Sequence, residues 1–238
     1  MEQPKLSTMV VLYNLNLKLN TNFILENLPL DESIIKIEKR GVLSRGTSSR
    51  DKIKRRSSKK DKESNTGFGR NSITIVTLNN GDGSLPMKEI TTKIFQNGVF
   101  HMTGVLDPLY DQCTLKYILG KIYETCSESL IDPPEKYEIL RRRVVLMNYT
   151  TEILPKSTIQ REQLFNKIKS LKDPNICTSY DPDVYPGVKI QYLDSNWTAK
   201  VFRTGKMILT GVTSKDDCIT FVNNLGILLK NSLPLKQG

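Results

Sequence analysis

The chain has 238 residues, of which 38% are hydrophobic and 7% aromatic, so it is long enough for one substantial core or two small ones and is not a disordered protein. No stretch approaches the roughly 18 apolar residues that a membrane span needs, and the N-terminus has no basic segment followed by a long apolar one. The formal net charge of +10 favours a polyanionic partner, but residues 44–64 hold nine Lys/Arg against three Asp/Glu, so basicity alone does not predict DNA binding.

The first predicted elements are a strand over residues 7–19 and an amphipathic helix near residues 23–28. Both faces of the strand's first half are apolar, because Met9 and Val11 alternate with Val10 and Leu12. An antiparallel sheet with helices on one side usually shows water a polar second face. The strand therefore indicates a sheet whose second face contacts another molecule.

A segment rich in Ser, Lys and Arg follows at residues 41–70. Its composition predicts disorder and electrostatic attraction to DNA. The run KIKRRSSKK within it also fits a nuclear-import signal, and phosphorylation of its serines would weaken either activity. A solvated tether without a specific role is the alternative.

A β-hairpin is predicted over residues 91–105, with Gly98 in the turn. A helix follows at once, since Asp107 can cap it and Pro108 suits its first turn. Residues 126–136 contain two adjacent prolines and have the composition of a linker between two halves of the chain.

The second half repeats this order. A strand is predicted over residues 142–154, a helix near 157–171, a hairpin over 198–212, and a helix that Ser214 caps. The hairpin segments TTKIFQNGVFHMTGV and TAKVFRTGKMILTGV share the pattern T-[T/A]-K-[I/V]-F-x-x-G-x-x-x-x-T-G-V without a gap, 107 positions apart. The sequence therefore predicts two repeats, residues 1–125 and 137–238.

The first strand of each hairpin carries a Phe and a Lys on one face, and the aliphatic residue between them suits the core. One interpretation is that the Phe side chains belong to the core and the lysines are merely solvated. The other is that this mixed face contacts something flat and charged. The residues concerned are Lys93, Phe95, Lys200 and Phe202.

No arrangement of residues predicts a metal site or catalysis. The four cysteines include no C-x-x-C pair, and His101 is the single histidine, so buried free thiols are expected. A set of nucleophile, base and orienting group is not recognisable, and a phosphate-binding loop is lacking. We therefore expect no cofactor, no metal and no enzymatic activity.

The run SYDPDVYPGVKIQYLDSNWTAKVFRTGKMILTGV, Ser179–Val212, resembles the second repeat of the TATA-binding protein family, where S-Y-E-P-E-L-F-P-G precedes a strand and I-F-V-S-G-K-x-V-L-T-G-A follows. Residues 91–105 are similar to the first-repeat segment T-A-L-I-F-x-S-G-K-M-V-x-T-G-A. The resemblance covers most of the chain except residues 41–70 and the linker. It implies an α+β fold, a saddle of two pseudo-symmetric repeats that form one curved antiparallel sheet with helices on its convex face.

The family binds double-stranded DNA in the minor groove and wedges paired Phe side chains between base steps at each end of its site. Carried over by position, the wedging residues here are Phe95 in the first half and Phe202 with Tyr185 in the second. The fourth position aligns near Asn71, and Phe68 takes its place if the alignment shifts.

The family also reads its site with an Asn on the first strand of each half, and Thr8 and Arg142 stand at those positions here. Because Arg can enter a narrow minor groove by electrostatics, A·T-rich preference is expected through DNA shape instead of amide hydrogen bonds. The resemblance assigns the other DNA contacts to Val10, Val144, Lys93, His101, Thr103, Lys200, Arg203, Lys206, Ile208 and Thr210.

The family's second-repeat loop contacts the B-type general initiation factor, and Asp183 and Val184 keep the acidic-then-aliphatic character of that loop. The resemblance thus implies a promoter-binding initiation factor that works with the RNA polymerase machinery. A protein-interaction adaptor with weak DNA binding is the alternative, and an enzyme accessory domain is a third, weaker one. The divergence and the insert are similar to TATA-binding-like proteins of large DNA viruses, so a nucleus or a cytoplasmic viral factory is the expected location.

Overall fold

The structure is a computed structural model, and it describes residues 2–52, 72–153 and 158–233. The chain divides into two compact units, an N-terminal unit of residues 10–144 and a C-terminal unit of residues 1–9 and 145–238. Strands β1 (Lys5–Leu15) and β9 (Ile139–Glu152) each have residues in both units. The units therefore differ from the predicted repeats at these two strands.

The N-terminal unit contains a sheet in the order β1-β7-β6-β5-β3-β4. A short pair, β2 with β8, lies beside it in a second sheet. The elements of this unit are β2 (Lys18–Leu19), α1 (Thr21–Asn27), β3 (Ile34–Lys39), β4 (Leu43–Gly46), β5 (Ser72–Asn79), β6 (Lys88–Phe95), β7 (Val99–Val105), α2 (Pro108–Thr125) and β8 (Leu130–Ile131), with 3-10 turns at Ser49–Lys52 and Ser127–Ser129.

The C-terminal unit has a sheet in the order β10-β11-β12-β13-β9. Its elements after β9 are α3 (Arg161–Ser170), β10 (Ile176–Asp181), β11 (Tyr185–Tyr192), β12 (Trp197–Val201), β13 (Lys206–Val212) and α4 (Lys215–Ser232). Side chains of α3 and α4 form one buried cluster with alternate residues of the strands, so both helices cover the same face of this sheet. Among the described residues, no helix is long and apolar enough to cross a bilayer.

The predicted helix starts are confirmed. The Asp107 carboxylate accepts from the Leu109 N–H at 2.9 Å, and Pro108 occupies the first position of α2. In α4 the Ser214 hydroxyl accepts from the Asp217 N–H at 3.0 Å. Each cap satisfies a backbone donor that the first helical turn cannot pair internally.

The two predicted hairpins are confirmed, and their registers are equivalent. Lys93 lies opposite His101 across β6 and β7, and Lys200 lies opposite Ile208 across β12 and β13. The turn glycine of the first hairpin, Gly98, has φ of 75°, a left-handed conformation that glycine adopts without steric cost. The repeat seen in the sequence is therefore a repeat of strand pairing.

Two predicted flexible segments are partly ordered. The prediction of disorder over residues 41–70 is wrong for residues 41–52, because β4 pairs with β3 and a 3-10 turn follows. The rest of that segment, including most of the import-signal run, lies outside the described residues. Residues 126–136 are not a free linker, since β8 pairs with β2 and Ser129 is buried.

Each sheet has a face that packs against helices, here called the helix face, and an opposite open face. In the N-terminal unit the Asn79 amide donates to the Thr114 hydroxyl of α2 at 2.7 Å, which fixes the helix face of β5. The aliphatic residue between Phe and Lys in each hairpin is fully buried, whereas both Phe side chains are half-buried on the open face. The interpretation that Phe95 and Phe202 are core residues is therefore wrong.

Candidate nucleic-acid interface

Two aromatic rings stand together on the open face of the C-terminal unit. The ring centroids of Tyr185 and Phe202 are 5.9 Å apart, and the rings are tilted by 55°. The Lys200 ammonium lies 5.3 Å from the Tyr185 centroid, within range of a cation–π contact. The structure thus brings together the two residues predicted to wedge in the second half.

Gly187 provides the space for this ring pair. A Cβ atom at this position would lie 3.1 Å from Tyr185 Cε1 and 3.3 Å from Phe202 Cε1. Both distances are tighter than ordinary van der Waals contact, so a side chain here would displace the rings. The glycine at this position of β11 therefore leaves room for the ring pair.

The N-terminal unit presents Phe95 at the end of β6, half-buried on the open face and opposite Ser72 of β5. Phe68 and Asn71, the two candidates for its wedging partner, lie outside the described residues. The arrangement of a ring pair is thus visible in the C-terminal unit, and the N-terminal unit contributes one described ring.

The predicted groove-lining residues of both hairpins share the open face of their own unit. Strand pairing aligns each Lys with the residue opposite it and places a Thr two residues further along the second strand. All of them are half-buried. They are Lys93, His101 and Thr103 in the N-terminal unit and Lys200, Ile208 and Thr210 in the C-terminal unit.

His101 is held in its neutral form. Burial lowers the pKa of its imidazole below the usual value, and the neighbouring Lys93 ammonium lowers it further. At pH 7 the side chain is therefore uncharged, as is Ile208 at the equivalent position of the C-terminal unit.

Four predicted residues of the second half, Phe202, Arg203, Lys206 and Ile208, line one cleft of about 660 Å³ in the C-terminal unit. Arg203 is exposed, and the Lys206 ammonium lies 3.8 Å from Glu152 in an exposed ion pair of little energetic weight. Both cations therefore remain accessible to a phosphate.

Arg142 does not reach an open face. Its Nε and Nη2 donate to the two carboxylate oxygens of Asp111 at 2.8 and 3.1 Å, and Nε also lies 3.1 Å from the Tyr13 hydroxyl. Tyr13 is buried on β1, and Asp111 is a fully buried residue of α2. The prediction that Arg142 reads the minor groove is wrong, because its guanidinium is bound on the helix face.

A buried carboxylate explains this arrangement. An isolated charge inside a protein is strongly unfavourable, so Asp111 requires a cation with matching geometry, and a bidentate guanidinium provides it. The hydrogen bonds to Asp111 raise the pKa of Arg142, and burial raises the pKa of the Tyr13 phenol. The pair is structural, and only 30% of the Arg142 side chain is exposed.

The neighbours of Arg142 were missed in the sequence. Arg141 and Arg143 are exposed, and neither has a hydrogen-bond or ion-pair partner among the described residues. The run of three arginines is visible in the sequence. Only the contact of Arg142 with Asp111 distinguishes the role of Arg142 from that of Arg141 and Arg143.

The other predicted first-strand residues, Thr8, Val10 and Val144, are half-buried. Asp183 and Val184 lie in a tight turn between β10 and β11, where the Val184 N–H donates to the Asp181 carbonyl at 3.2 Å. Val184 is 81% exposed, an unusual degree for a large aliphatic side chain. Within the described ranges no group of three His, Cys, Asp or Glu could hold a metal ion.

Comparisons with known proteins show which proteins this chain resembles in sequence. Residues 163–232 match the family model of transcription factor TFIID, or TATA-binding protein. The TATA-box-binding protein of Methanococcus maripaludis is 25% identical over 142 residues, which span 60% of this chain and 69% of that protein. TATA-box-binding protein 2 of Methanosarcina acetivorans is 38% identical over 56 residues, which span 21% of this chain and 30% of that protein.

A solved structure, Methanococcus jannaschii TBP, matches with a TM-score of 0.60 at 15% sequence identity. The match covers 96% of this chain and 99% of that one. The prediction of an α+β fold of this type is thereby confirmed. The chain has the fold of the TATA-binding proteins, and within residues 163–232 it carries the sequence pattern of that family.

Proposed function

We propose that this protein is a TATA-binding-protein-like transcription initiation factor. It binds A·T-rich promoter DNA in the minor groove, bends it by inserting aromatic side chains between base steps, and recruits further initiation factors. The observation that carries the proposal is the ring pair of Tyr185 and Phe202 on the open face, 5.9 Å apart and next to a lysine. A planar apolar ring replaces part of the stacking lost when a base step opens.

Charge on the open faces supports the same function. Lys93 and Lys200 stand where the family has apolar residues, and Arg141 and Arg143 are exposed guanidinium groups without a hydrogen-bond or ion-pair partner among the described residues. Each phosphate neutralised by such a group releases condensed counterions, so affinity falls steeply as salt rises. We therefore assign Arg141 and Arg143 to DNA contact in place of Arg142.

The exposed turn with Asp183 and Val184 is the proposed contact for a B-type general initiation factor or its viral equivalent, which connects the DNA complex to RNA polymerase. Its exposed Val184 suits a small apolar contact at the rim of an interface. The protein then acts by binding alone, without catalysis, in a nucleus or a viral factory. A lineage from a large DNA virus stays a prediction.

The test is binding to a short A·T-rich duplex with a fluorophore at each end, over a salt series. We expect energy transfer between the ends to rise on binding, because the duplex bends. A double variant, Phe95→Ala with Phe202→Ala, should lose most of the bending and weaken binding by about tenfold or more, since each wedge offsets a few kcal/mol of unstacking.

Ile227→Ala is the matched control, because Ile227 is a large aliphatic residue exposed on α4, away from the open face. This variant should bind and bend DNA as the unchanged protein does. Unchanged affinity in the double Phe variant would disprove wedging.

The loss of the reading Asn residues and the burial of the Arg142 head group favour a second candidate, an adaptor that keeps the fold but binds DNA weakly. Binding of an initiation factor together with no binding of any duplex at low salt would establish the adaptor and exclude the DNA-bending function.

A further inference from the structure

Residues 47–52, here called the strap, cross the open face of the N-terminal unit. The strap begins after Gly46, whose φ is 76° and where a Cβ atom would lie 2.1 Å from the Ile35 carbonyl oxygen. Only glycine fits this turn, because the conformation is left-handed and a side chain would collide with backbone. The chain is thereby directed off the edge strand β4.

Two side-chain contacts hold the strap to the sheet. The Asp51 carboxylate accepts from the Lys36 ammonium of β3 at 2.7 Å. Ser49 donates to the Glu89 carboxylate of β6 through its backbone N–H at 2.8 Å and its hydroxyl at 2.7 Å. Since β5 lies between β3 and β6, the strap spans three strands.

Strand pairing shows which face is crossed. Lys36 lies opposite Val76, and Glu89 lies opposite Leu78. Ile75 and Asn79 of the same strand point to the helix face, so by alternation Val76 and Leu78 point to the open face. The strap therefore lies on the face that carries Lys93 and Phe95.

The strap lies over an aliphatic side chain and a hydroxyl-bearing side chain of the open face. Val76 is only 3% exposed although it faces away from the helices. Thr91, opposite Val76, has a buried hydroxyl with no hydrogen-bond partner among the described residues. Buried hydroxyls normally have a partner, so Thr91 is a donor left unused in this conformation.

The C-terminal unit has no comparable cover over the equivalent strands among its described residues. Gln191, paired with Thr198 as Val76 is paired with Thr91, remains half-buried, and Lys189 is exposed. The position of Val76 is therefore covered in the N-terminal unit, whereas the equivalent Gln191 is half-buried in the C-terminal unit.

We propose that the strap is an autoinhibitory contact that competes with DNA for the open face of the N-terminal unit. The proposal rests on the DNA-binding function given above. DNA engages this face only when the strap lifts and uncovers Val76 and Thr91, so the apparent affinity is reduced by the fraction of molecules whose strap is raised.

The test is a double variant of the full chain, Ser49→Ala with Asp51→Ala, which removes the Asp51–Lys36 ion pair and the Ser49 hydroxyl bond to Glu89 and leaves only the Ser49 backbone N–H bond. Lys36 keeps its ion pair with Glu38 at 2.6 Å, so the sheet itself should stay folded. We expect the variant to bind an A·T-rich duplex about three- to tenfold more tightly, because the raised fraction increases. Glu32→Ala, which removes an exposed carboxylate from the same unit, controls for charge and should bind as before.

Trypsin cleavage after Arg50, mapped by mass spectrometry, gives a second measurement. Duplex should accelerate this cleavage in the unchanged protein, because the strap leaves the sheet. Protection of Arg50 by duplex, or unchanged affinity in the double variant while the unchanged protein still binds, would overturn autoinhibition alone. Absence of duplex binding in both proteins would instead reject the DNA-binding function, and the strap's role with it.

Discussion

The two units share one scaffold and differ in what it carries. Asp107 and Ser214 cap equivalent helices, and four positions later α2 has Asp111 where α4 has Cys218. Both side chains are fully buried. The acid requires a bidentate arginine, whereas burial alone accounts for the raised pKa of the thiol, about 11. The equivalent helix position thus holds an ion-paired acid in the N-terminal unit and a small thiol in the C-terminal unit.

The open faces differ as well. The C-terminal unit shows its paired rings, whereas the N-terminal unit shows one described ring and a strap across its outer strands. The family model matches residues 163–232, all within the C-terminal unit.

The largest expected effect concerns the ion pair. Arg142→Ala should lower the free energy of unfolding by about 3 kcal/mol, because it leaves the Asp111 carboxylate buried without a cation. We place the effect at the low end of the usual range since the guanidinium is 30% exposed. Urea unfolding measures it, and Arg143→Ala should fall within about 0.5 kcal/mol of the unchanged protein.

Replacing the polar cluster of the N-terminal unit by uncharged residues, as at the equivalent place in the C-terminal unit, tests the cause of this loss of stability. A triple variant, Tyr13→Phe, Asp111→Cys and Arg142→Leu, removes every member of the polar cluster at once. Replacing a buried ion pair by apolar groups is often neutral, so most of the lost stability should return. A triple variant as unstable as Arg142→Ala would show that the two units do not tolerate the same core.

A smaller effect is expected for the neighbouring arginines. The double variant Arg141→Ala with Arg143→Ala should bind an A·T-rich duplex about tenfold more weakly and unfold at the same urea concentration. If both groups contact phosphates, the slope of log affinity against log salt should shrink by about 2. An unchanged slope would remove these two residues from the interface.

The smallest expected effect is a pH dependence of DNA binding, which His101 confers and its counterpart Ile208 does not. Burial and Lys93 keep the pKa of His101 below its usual value, so the free protein holds it neutral at pH 7. Phosphates favour the imidazolium and raise that pKa, so binding takes up a proton and should tighten by a few-fold as pH falls from about 7 to 5.5. Fluorescence anisotropy at several pH values should show this trend, and His101→Ile should abolish it.

Sequence reasoning was most reliable where a local rule decides the structure. The caps Asp107 and Ser214 and the turn at Gly98 follow from backbone donors and φ preferences, and the structure confirms them. Strand alternation placed Phe95 and Phe202 on one face with Lys93 and Lys200 but left open whether they belong to the core, and the structure shows both half-buried on the open face. The ring pair could be expected only from the family resemblance, because Tyr185 and Phe202 are on different strands.

Reasoning failed where the partner of a charge decides its role. Arg142 was assigned to DNA because the sequence does not reveal that a buried carboxylate 31 residues earlier binds it. The start of the basic insert was expected to be disordered because composition does not reveal that Lys36 and Glu89 anchor it. In both cases the deciding interaction joins residues far apart in the chain.

The sequence by itself determined the repeat, the two hairpins with the helices that follow them, and the family that the chain resembles, because these depend on periodicity, capping and spacing along the chain. Only the tertiary structure decided that the middle one of three adjacent arginines binds a buried carboxylate, and that a strap crosses one open face. Charge, unlike hydrophobic periodicity, takes its meaning from the group at the other end of the contact, and folding alone brings that group close.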